Sequence, residues 1–462
     1  MQRKIIQVEE KVPILQGLPL SFQHLFAMFG ASVLVPFLFN NAAQLDFVKT
    51  VLHTTMDKLT PDQVLQVQAI TVIDPALVLL MNGIGTLIYL FLCKGKAPAF
   101  LGSSFAFLAP AFAVITKSND YNANFSNALG GFILCGLIFA VTAVIIGRVG
   151  TKWLDVVLPP ATMGPIVALI GLELAGTAAN NAGLLPAADG TFNSTSIIIA
   201  LVTLAVVIFG SLLFRGFLGI IPVLLAVVIG YIVAWLMGAV HFDAVNASKW
   251  VTSPKFVLPS FDINAMMIIA PAALVVISEH IGHLFVTGKI VERDLIKDPG
   301  LHRSLLGDGL STMLSGFTGS CPTTTYGENM GVMAVTRVYS VWVIGGAAVI
   351  SIIIAFIGKL SGVIQSIPPA VMGGITVLLF GMIAASGIRM IVEAKVDYSK
   401  SKNLILTAVV FIVGLSGISI NINTVPLTGM ALGTVVGMIL SLIFYILEKL
   451  KLTNDAAEEE SK

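Results

Sequence analysis

"PTTTYGENMG", residues 322–331, sets three threonines and a tyrosine ahead of Gly327 and the ionisable Glu328, and the chain soon returns to apolar residues. Thr and Tyr favour extended backbone, and Gly327 permits a turn or a close approach. As one continuous helix the span 322–337 reaches only about 24 Å, short of a ~30 Å hydrocarbon core. Extended from Pro322 to Gly327 and helical from Glu328, it covers roughly 35 Å and crosses. The stretch therefore predicts a broken span, a short strand followed by a half-helix. "PAFLGSSFAF" (98–107) has the same order: a proline, an extended run, Gly102, two serines suited to capping a helix, then apolar residues. Extended backbone facing lipid is not tolerated, because each unpaired amide costs several kcal/mol. Residues 98–103 and 322–327 must then be buried and paired as a small antiparallel ladder. Two helix N-termini, near Ser104 and Glu328, aim at whatever lies between them. The plainer alternative is a pair of loops between shortened helices.

Composition agrees with the bilayer. Of the 462 residues 56% are hydrophobic and 11% charged, against roughly 25% charged in soluble domains. Fourteen apolar runs can be counted, near 18–40, 72–93, 98–116, 126–147, 158–176, 196–213, 217–240, 265–288, 303–319, 322–337, 340–360, 368–388, 403–419 and 427–448. An even count puts both termini on one side. With the termini inside, 20 of the 26 Lys and Arg residues fall in inner segments, which predicts cytoplasmic ends. "MQRKIIQVEEKVP" is too charged for a signal peptide and reads as a cytosolic arm, and "NDAAEEESK" as a solvated acidic tail. Cys93, Cys135 and Cys321 have no CxxC spacing, so neither a disulfide framework nor a metal cluster is suggested. A net charge of +1 gives no signal for nucleic acid.

Repeats organise the spans. "LPPATMGPIVALIG" (158–171) and "IPPAVMGGITVLLFG" (367–381) share Pro-Pro-Ala-x-Met-Gly-x-Ile at an offset of 209. "NGIGTLIYL" (82–90) is echoed by "DGLSTMLSG" (308–316), and Gln23-His24-Leu25 by Glu279-His280-Ile281. The pairing divides the chain into seven spans plus seven, and an odd number per repeat makes the halves inverted, the plan of secondary transporters. The long loop 41–71 accounts for much of the drift in spacing.

Glu279 and Glu328 fall near the middle of spans eight and ten, where a carboxylate is expensive and therefore a functional candidate. In "SEHIGHL" Glu279 and His283 lie one helical turn apart, able to share a proton or simply to hydrogen-bond. His280 and His283 beside a glutamate could suggest zinc, but no further ligand accompanies them. His24 reads as packed, Asp308 as a capping, pairing or substrate-facing acid, and Glu173 as structural or gating. Two carboxylates that accept N–H groups and two helix N-termini that donate to oxygens suit a compact planar ring alternating N–H and C=O. Phe105 and Tyr326 could stack on such a ring. No nucleotide, haem or flavin motif is present, so the expected energy source is an ion rather than bound ATP.

"ENMGVMAVTR" (328–337) resembles the signature of the nucleobase-ascorbate transporter family. "SFQHLFAMFGASVLVPFLF", "PAFLGSSFAF", "SEHIGHLFVTGKI" and "DPGLHRSLLGDGLST" resemble its bacterial uracil permease branch, over roughly residues 15–450. The resemblance implies an all-α polytopic membrane protein of fourteen spans in two inverted repeats, with spans three and ten each a short buried strand plus a half-helix. Its implied divisions are an N-terminal arm (1–17), a core domain (18–157 and 246–366), a gate domain (158–245 and 367–450) and an acidic tail (451–462). It implies uptake of uracil with a proton across the inner membrane by a homodimer, with no other cofactor and no enzymatic activity. By motif position it assigns Glu279 and Glu328 as substrate carboxylates, His283 as the proton-linked histidine, Phe105 and Gly327 as backbone donors, and Ala31 and Tyr326 as pocket lining. A purine such as xanthine on the same fold, or an anion pathway, are the rival expectations.

Overall fold

The computed structural model describes residues 5–54, 59–186, 190–422 and 425–453; the acidic stretch read as a tail, 454–462, lies outside them. Among the described residues eight helices are long and apolar enough to cross a membrane, and shorter apolar helices accompany them. The elements that position the site are α1 (Ile14–Thr50), α2 (Pro75–Leu92), β1 (Leu101–Ser103), α3 (Leu108–Ile115), α4 (Tyr121–Val149), α5 (Pro160–Glu173), α6 (Ala175–Asn181) and α7 (Ser194–Leu213). They continue with α8 (Ala272–Ile290), α9 (Leu301–Thr318), β2 (Thr323–Thr325), α10 (Gly327–Thr336), α11 (Val341–Ile354), α12 (Pro369–Glu393), β3 (Ser419–Ile422), β4 (Val425–Thr428) and α13 (Gly429–Lys449).

Local chemistry places several boundaries. Pro75, Pro160 and Pro369 each stand at the first turn of a helix, where a missing N–H costs nothing. Asp74 and Asp120 accept backbone N–H groups at the starts of α2 and α4. Pro271 coincides with the break between the short helix Ile263–Ile269 and α8.

Two differences from the sequence reading concern α1 and the region before α13. The stretch 41–71 is not a long loop: α1 continues through Asn41 to Thr50, and a second helix, Pro61–Ala69, is closed by a capping box between Thr60 and Gln63. Asn40 fastens the return, accepting from Val72 and Ile73 N–H and donating to the Ile73 carbonyl. Polar residues in 41–71 hid a helix that runs beyond the apolar window. The antiparallel pair β3–β4 was also not anticipated; alternation in "SINI" is too brief to separate from a loop.

The helices pack in two sets. α9 lies against α4 and α2, with α11 against α2 and α1, while α12 lies against α5, α6 and α7. The helices opened by the two Pro-Pro-Ala-x-Met-Gly segments, α5 and α12, thus pack on each other. Gly164 and Gly387 are the contact: a Cβ on either would press on the other helix's backbone or on Ile391. β1 and β2 sit within the first set, every residue buried.

The described part of the N-terminal arm is docked through Ile6 and Val8. Ile6 N–H donates to Arg337 O at 3.0 Å and Ile6 O accepts from Tyr339 N at 2.9 Å, while Val8 O accepts from Val341 N at 2.9 Å. Val8 is completely buried. The Arg293 guanidinium beside Glu9, with Nη2 2.8 Å from Oε2, holds that carboxyl below the usual glutamate range. The arm therefore ties the α10–α11 junction to the segment after α8.

Candidate functional site

The site is built on the ladder of β1 and β2. Leu101 pairs with Thr325, Gly102 with Thr324 and Ser103 with Thr323. Ser104 N–H donates to Pro322 O at 2.9 Å and Tyr326 N–H to Phe100 O at 3.1 Å, extending it at both ends. Of the extended segments expected at 98–103 and 322–327, the paired and buried part runs from Phe100 to Ser104 and from Pro322 to Tyr326, and half-helices follow at Phe105 and at Gly327, which is helical and half-buried rather than extended.

Two strands alone leave two unpaired edges, which cannot stand in a dry interior. Threonine hydroxyls cover them. Leu101 N–H donates to Thr86 Oγ1 of α2 at 2.9 Å. Thr323 N–H donates to Thr312 Oγ1 of α9 at 3.2 Å, and that hydroxyl lies 3.1 Å from Thr323 O. The sequence reading singled out neither residue. The signal was present, because Thr86 and Thr312 occupy the same place in the repeated "NGIGTLIYL" and "DGLSTMLSG".

Both half-helices begin without a side-chain cap. Tyr326 precedes α10 in extended conformation and makes no capping bond. Ser104, expected as a cap, makes none at the 3-10 turn Phe105–Phe107 that leads into α3. The first-turn N–H groups at both starts thus have no N-cap side chain as acceptor, and each start carries a positive dipole end. Glu328 stands in the first turn of α10.

α8 crosses this ladder and presents Glu279 and His283 from one face. Glu279 Oε2 lies 3.5 Å from Thr324 Oγ1. His283 Nδ1 is 2.7 Å from the Thr325 carbonyl, which can only accept, so Nδ1 carries the proton. Nε2 faces Glu279, 4.0 Å from its Oε1. That gap is too long for a direct hydrogen bond. The expected Glu279–His283 pair is therefore a near approach, with His283 anchored to β2. Gly327 sits on the same side: a Cβ there would lie 3.8 Å from His283 Nε2.

The remaining candidates surround this group. Tyr326 is buried, its ring lying against Gly102. Phe105 is buried and meets Phe380 of α12 edge to face at 5.8 Å, which joins the ladder to the other helix set. Ala31 is buried on α1, the helix that packs on both β1 and α10. His24 Nδ1 lies 3.0 Å from Asn329 Oδ1, so α1 holds the residue next to Glu328. Asp308 pairs with His280 at 3.0 Å and takes a 3.3 Å bond from Thr323 Oγ1, a role in bracing β2. Glu173 accepts from Met430 N–H at 3.2 Å and caps α13. Among the described residues no group of three or more His, Cys, Asp or Glu is placed to hold a metal ion.

A family model described as "Permease family" matches residues 15–423. The chain is 52% identical to the uracil permease of Escherichia coli strain K12, over 98% of this chain and 96% of that protein. It is 51% identical to the uracil permease of Paenibacillus larvae, over 98% of this chain and all of that one. The uracil permease of Bacillus subtilis is 42% identical over 92% of this chain and 91% of its own length. Among solved structures, the murine anion transporter Slc26a9 in its inward-facing state superposes with a TM-score of 0.67 at 11% identity, covering 95% of this chain and 69% of that one. The transmembrane domain of the cyanobacterial bicarbonate transporter BicA gives 0.56 at 14% identity, covering 95% and 100%. At these identities the likeness is one of fold.

Proposed function

Because the chain belongs to the permease family, as its nucleobase-ascorbate signature led us to expect, we propose that it is a uracil:proton symporter working by alternating access in the cell membrane. A transporter rather than an enzyme, and a multi-pass membrane protein, follow from the family and the apolar helices. The observation that carries the substrate is the mixed polarity of the site. Two uncapped helix starts offer N–H donors, and Glu279 and Glu328 offer acceptors beside them. A ring whose edge alternates N–H and C=O satisfies both kinds of group, whereas a simple anion would be repelled by the carboxylates. The names of the relatives support uracil over a purine.

In this reading Glu328, in the field of the α10 N-terminus, is a fixed acceptor for a substrate N–H. Gly327 and Phe105 supply backbone donors, and Tyr326 and Ala31 wall the ring. Glu279 and His283 carry the proton, with Nε2 as the station between Glu279 and the ligand. The set of helices around the ladder (18–157 and 246–366) moves as the core, against a gate framed by α5 and α12 (158–245 and 367–450). Phe105 on Phe380 lies where the two sets meet. The chain ends are cytoplasmic and the unit is a homodimer.

Uptake of labelled uracil by proteoliposomes holding the purified protein tests the proposal. Saturable uptake that follows an imposed proton gradient, collapses with a protonophore and yields to unlabelled uracil before xanthine is expected. Uptake independent of the gradient, or preferring xanthine, defeats it.

A further inference from the structure

A cavity of about 720 Å³ opens at the C-terminal end of α1, bounded by α6, the helix Pro61–Ala69 and the start of α12. On the proposed orientation this is the outer side, and the transport mechanism above does not use it. Amide side chains recur along its wall: Asn41, Gln68, Asn180, Asn181 and Gln365.

Asn41 and Asn181 are 2% and 5% exposed. Asn41 Nδ2 donates to Asn181 Oδ1 at 2.8 Å, linking α1 to α6. The remaining halves of the two amides, Asn41 Oδ1 and Asn181 Nδ2, have no partner. Exchanging oxygen and nitrogen on both residues preserves the count, because each assignment leaves one acceptor and one donor unpaired. Buried amide groups in this condition are rare and costly. They invite a ligand that carries the complementary pair, an N–H next to a C=O.

That pair is the lactam edge of a pyrimidine base. We propose that the cavity is a capture subsite for the nucleobase, in which Asn41 and Asn181 read the lactam edge before the base reaches Glu279 and Glu328. Phe37, Leu45 and Val48, also on the wall, suit the faces of the ring. Both unpaired atoms are sealed while the Asn41–Asn181 bond is made, so the base takes the place of that bond, one N–H/C=O pair of the ring meeting each amide. Capture thereby loosens α1 from α6. The inference rests on the uracil reading above.

The test uses the full chain. Saturation-transfer NMR of uracil with Glu328→Gln protein, whose central site is weakened, is expected to retain ligand contact, and adding Asn41→Ala with Asn181→Ala is expected to remove it. Initial-rate uptake by Asn181→Leu, which fills the same space without polar atoms, is expected to show KM raised about fivefold with the maximal rate within about twofold. Contact that survives the paired Asn substitutions, or none in the Glu328→Gln protein, overturns the subsite. A changed maximal rate with unchanged NMR contact also overturns it, reducing Asn41–Asn181 to an interhelical tie. Failure of the unmodified protein to bind uracil would instead remove the transport reading itself.

Discussion

Gly102→Ala adds one methyl group at the point where the ladder and the candidate pocket touch. Gly102 faces Thr324 in register, and a Cβ there runs into the Tyr326 ring, with Cε1 only 2.6 Å away. Ordinary carbon contacts need about 3.5 to 4.0 Å, and Cζ and Cε2 come closer still than Cε1, so the ring must retreat by roughly 1.5 Å. Gly102 lies outside the left-handed region, which leaves the steric clash as the source of the penalty. Tyr326 is 3% exposed and has little room to give, so overpacking should cost about 1–3 kcal/mol. The displaced ring is also a wall of the proposed uracil site, and affinity should fall about five- to tenfold. Thermal unfolding of the purified protein and uracil binding would be read together, for Gly102→Ala, Tyr326→Ala and the double variant. With the ring removed, the added methyl should cost less than about 0.5 kcal/mol, a strongly non-additive result. Unchanged stability in Gly102→Ala, or an equal cost in the Tyr326→Ala background, would refute the argument that the ring's approach requires this glycine.

Three further outcomes are expected. Glu328→Gln exchanges an acceptor oxygen for a donor NH2 and should weaken uracil binding by about 1.5–3 kcal/mol, or roughly 10- to 150-fold in Kd, read by calorimetry. His283→Gln should spare equilibrium binding more than gradient-driven accumulation; an uptake rate with the full pH dependence of the unmodified protein would contradict the role of Nε2. Glu9 has its folded pKa depressed by Arg293, so its contribution is present above the unfolded glutamate value and is lost as pH falls through the folded one. Arm release, followed by trypsin cleavage after Lys11, should accordingly rise on acidification in the unmodified protein. Arg293→Ala should raise cleavage at neutral pH and flatten that profile, and an unchanged profile would argue against the ion pair as the latch.

Much of this protein was legible in one dimension because the bilayer is an unforgiving solvent. Apolar runs, the short span at 322–337 and the cost of unpaired amides in lipid together led to the strand and half-helix at Thr323–Thr336 and its counterpart at Leu101–Ile115. The carboxylates Glu279 and Glu328 stood out for the same reason: charge at that depth is expensive enough to need a purpose. Geometry across elements was out of reach. That His283 gives its Nδ1 proton to Thr325, leaving Nε2 4.0 Å from Glu279, depends on where β2 lies beside α8, and residues 42 apart in the chain carry no local sign of it. Thr86 and Thr312 looked like ordinary helix residues until the ladder placed an unpaired edge against each hydroxyl. Polar residues after Asn40 masked the continuation of α1, since hydropathy reports solvent preference and not where a helix ends. The sequence alone determined which segments live in the membrane and which residues are too costly to be idle there. Only the tertiary structure decided which of them meet, because hydrogen bonds and close packing are settled by distances between elements that local pattern does not encode.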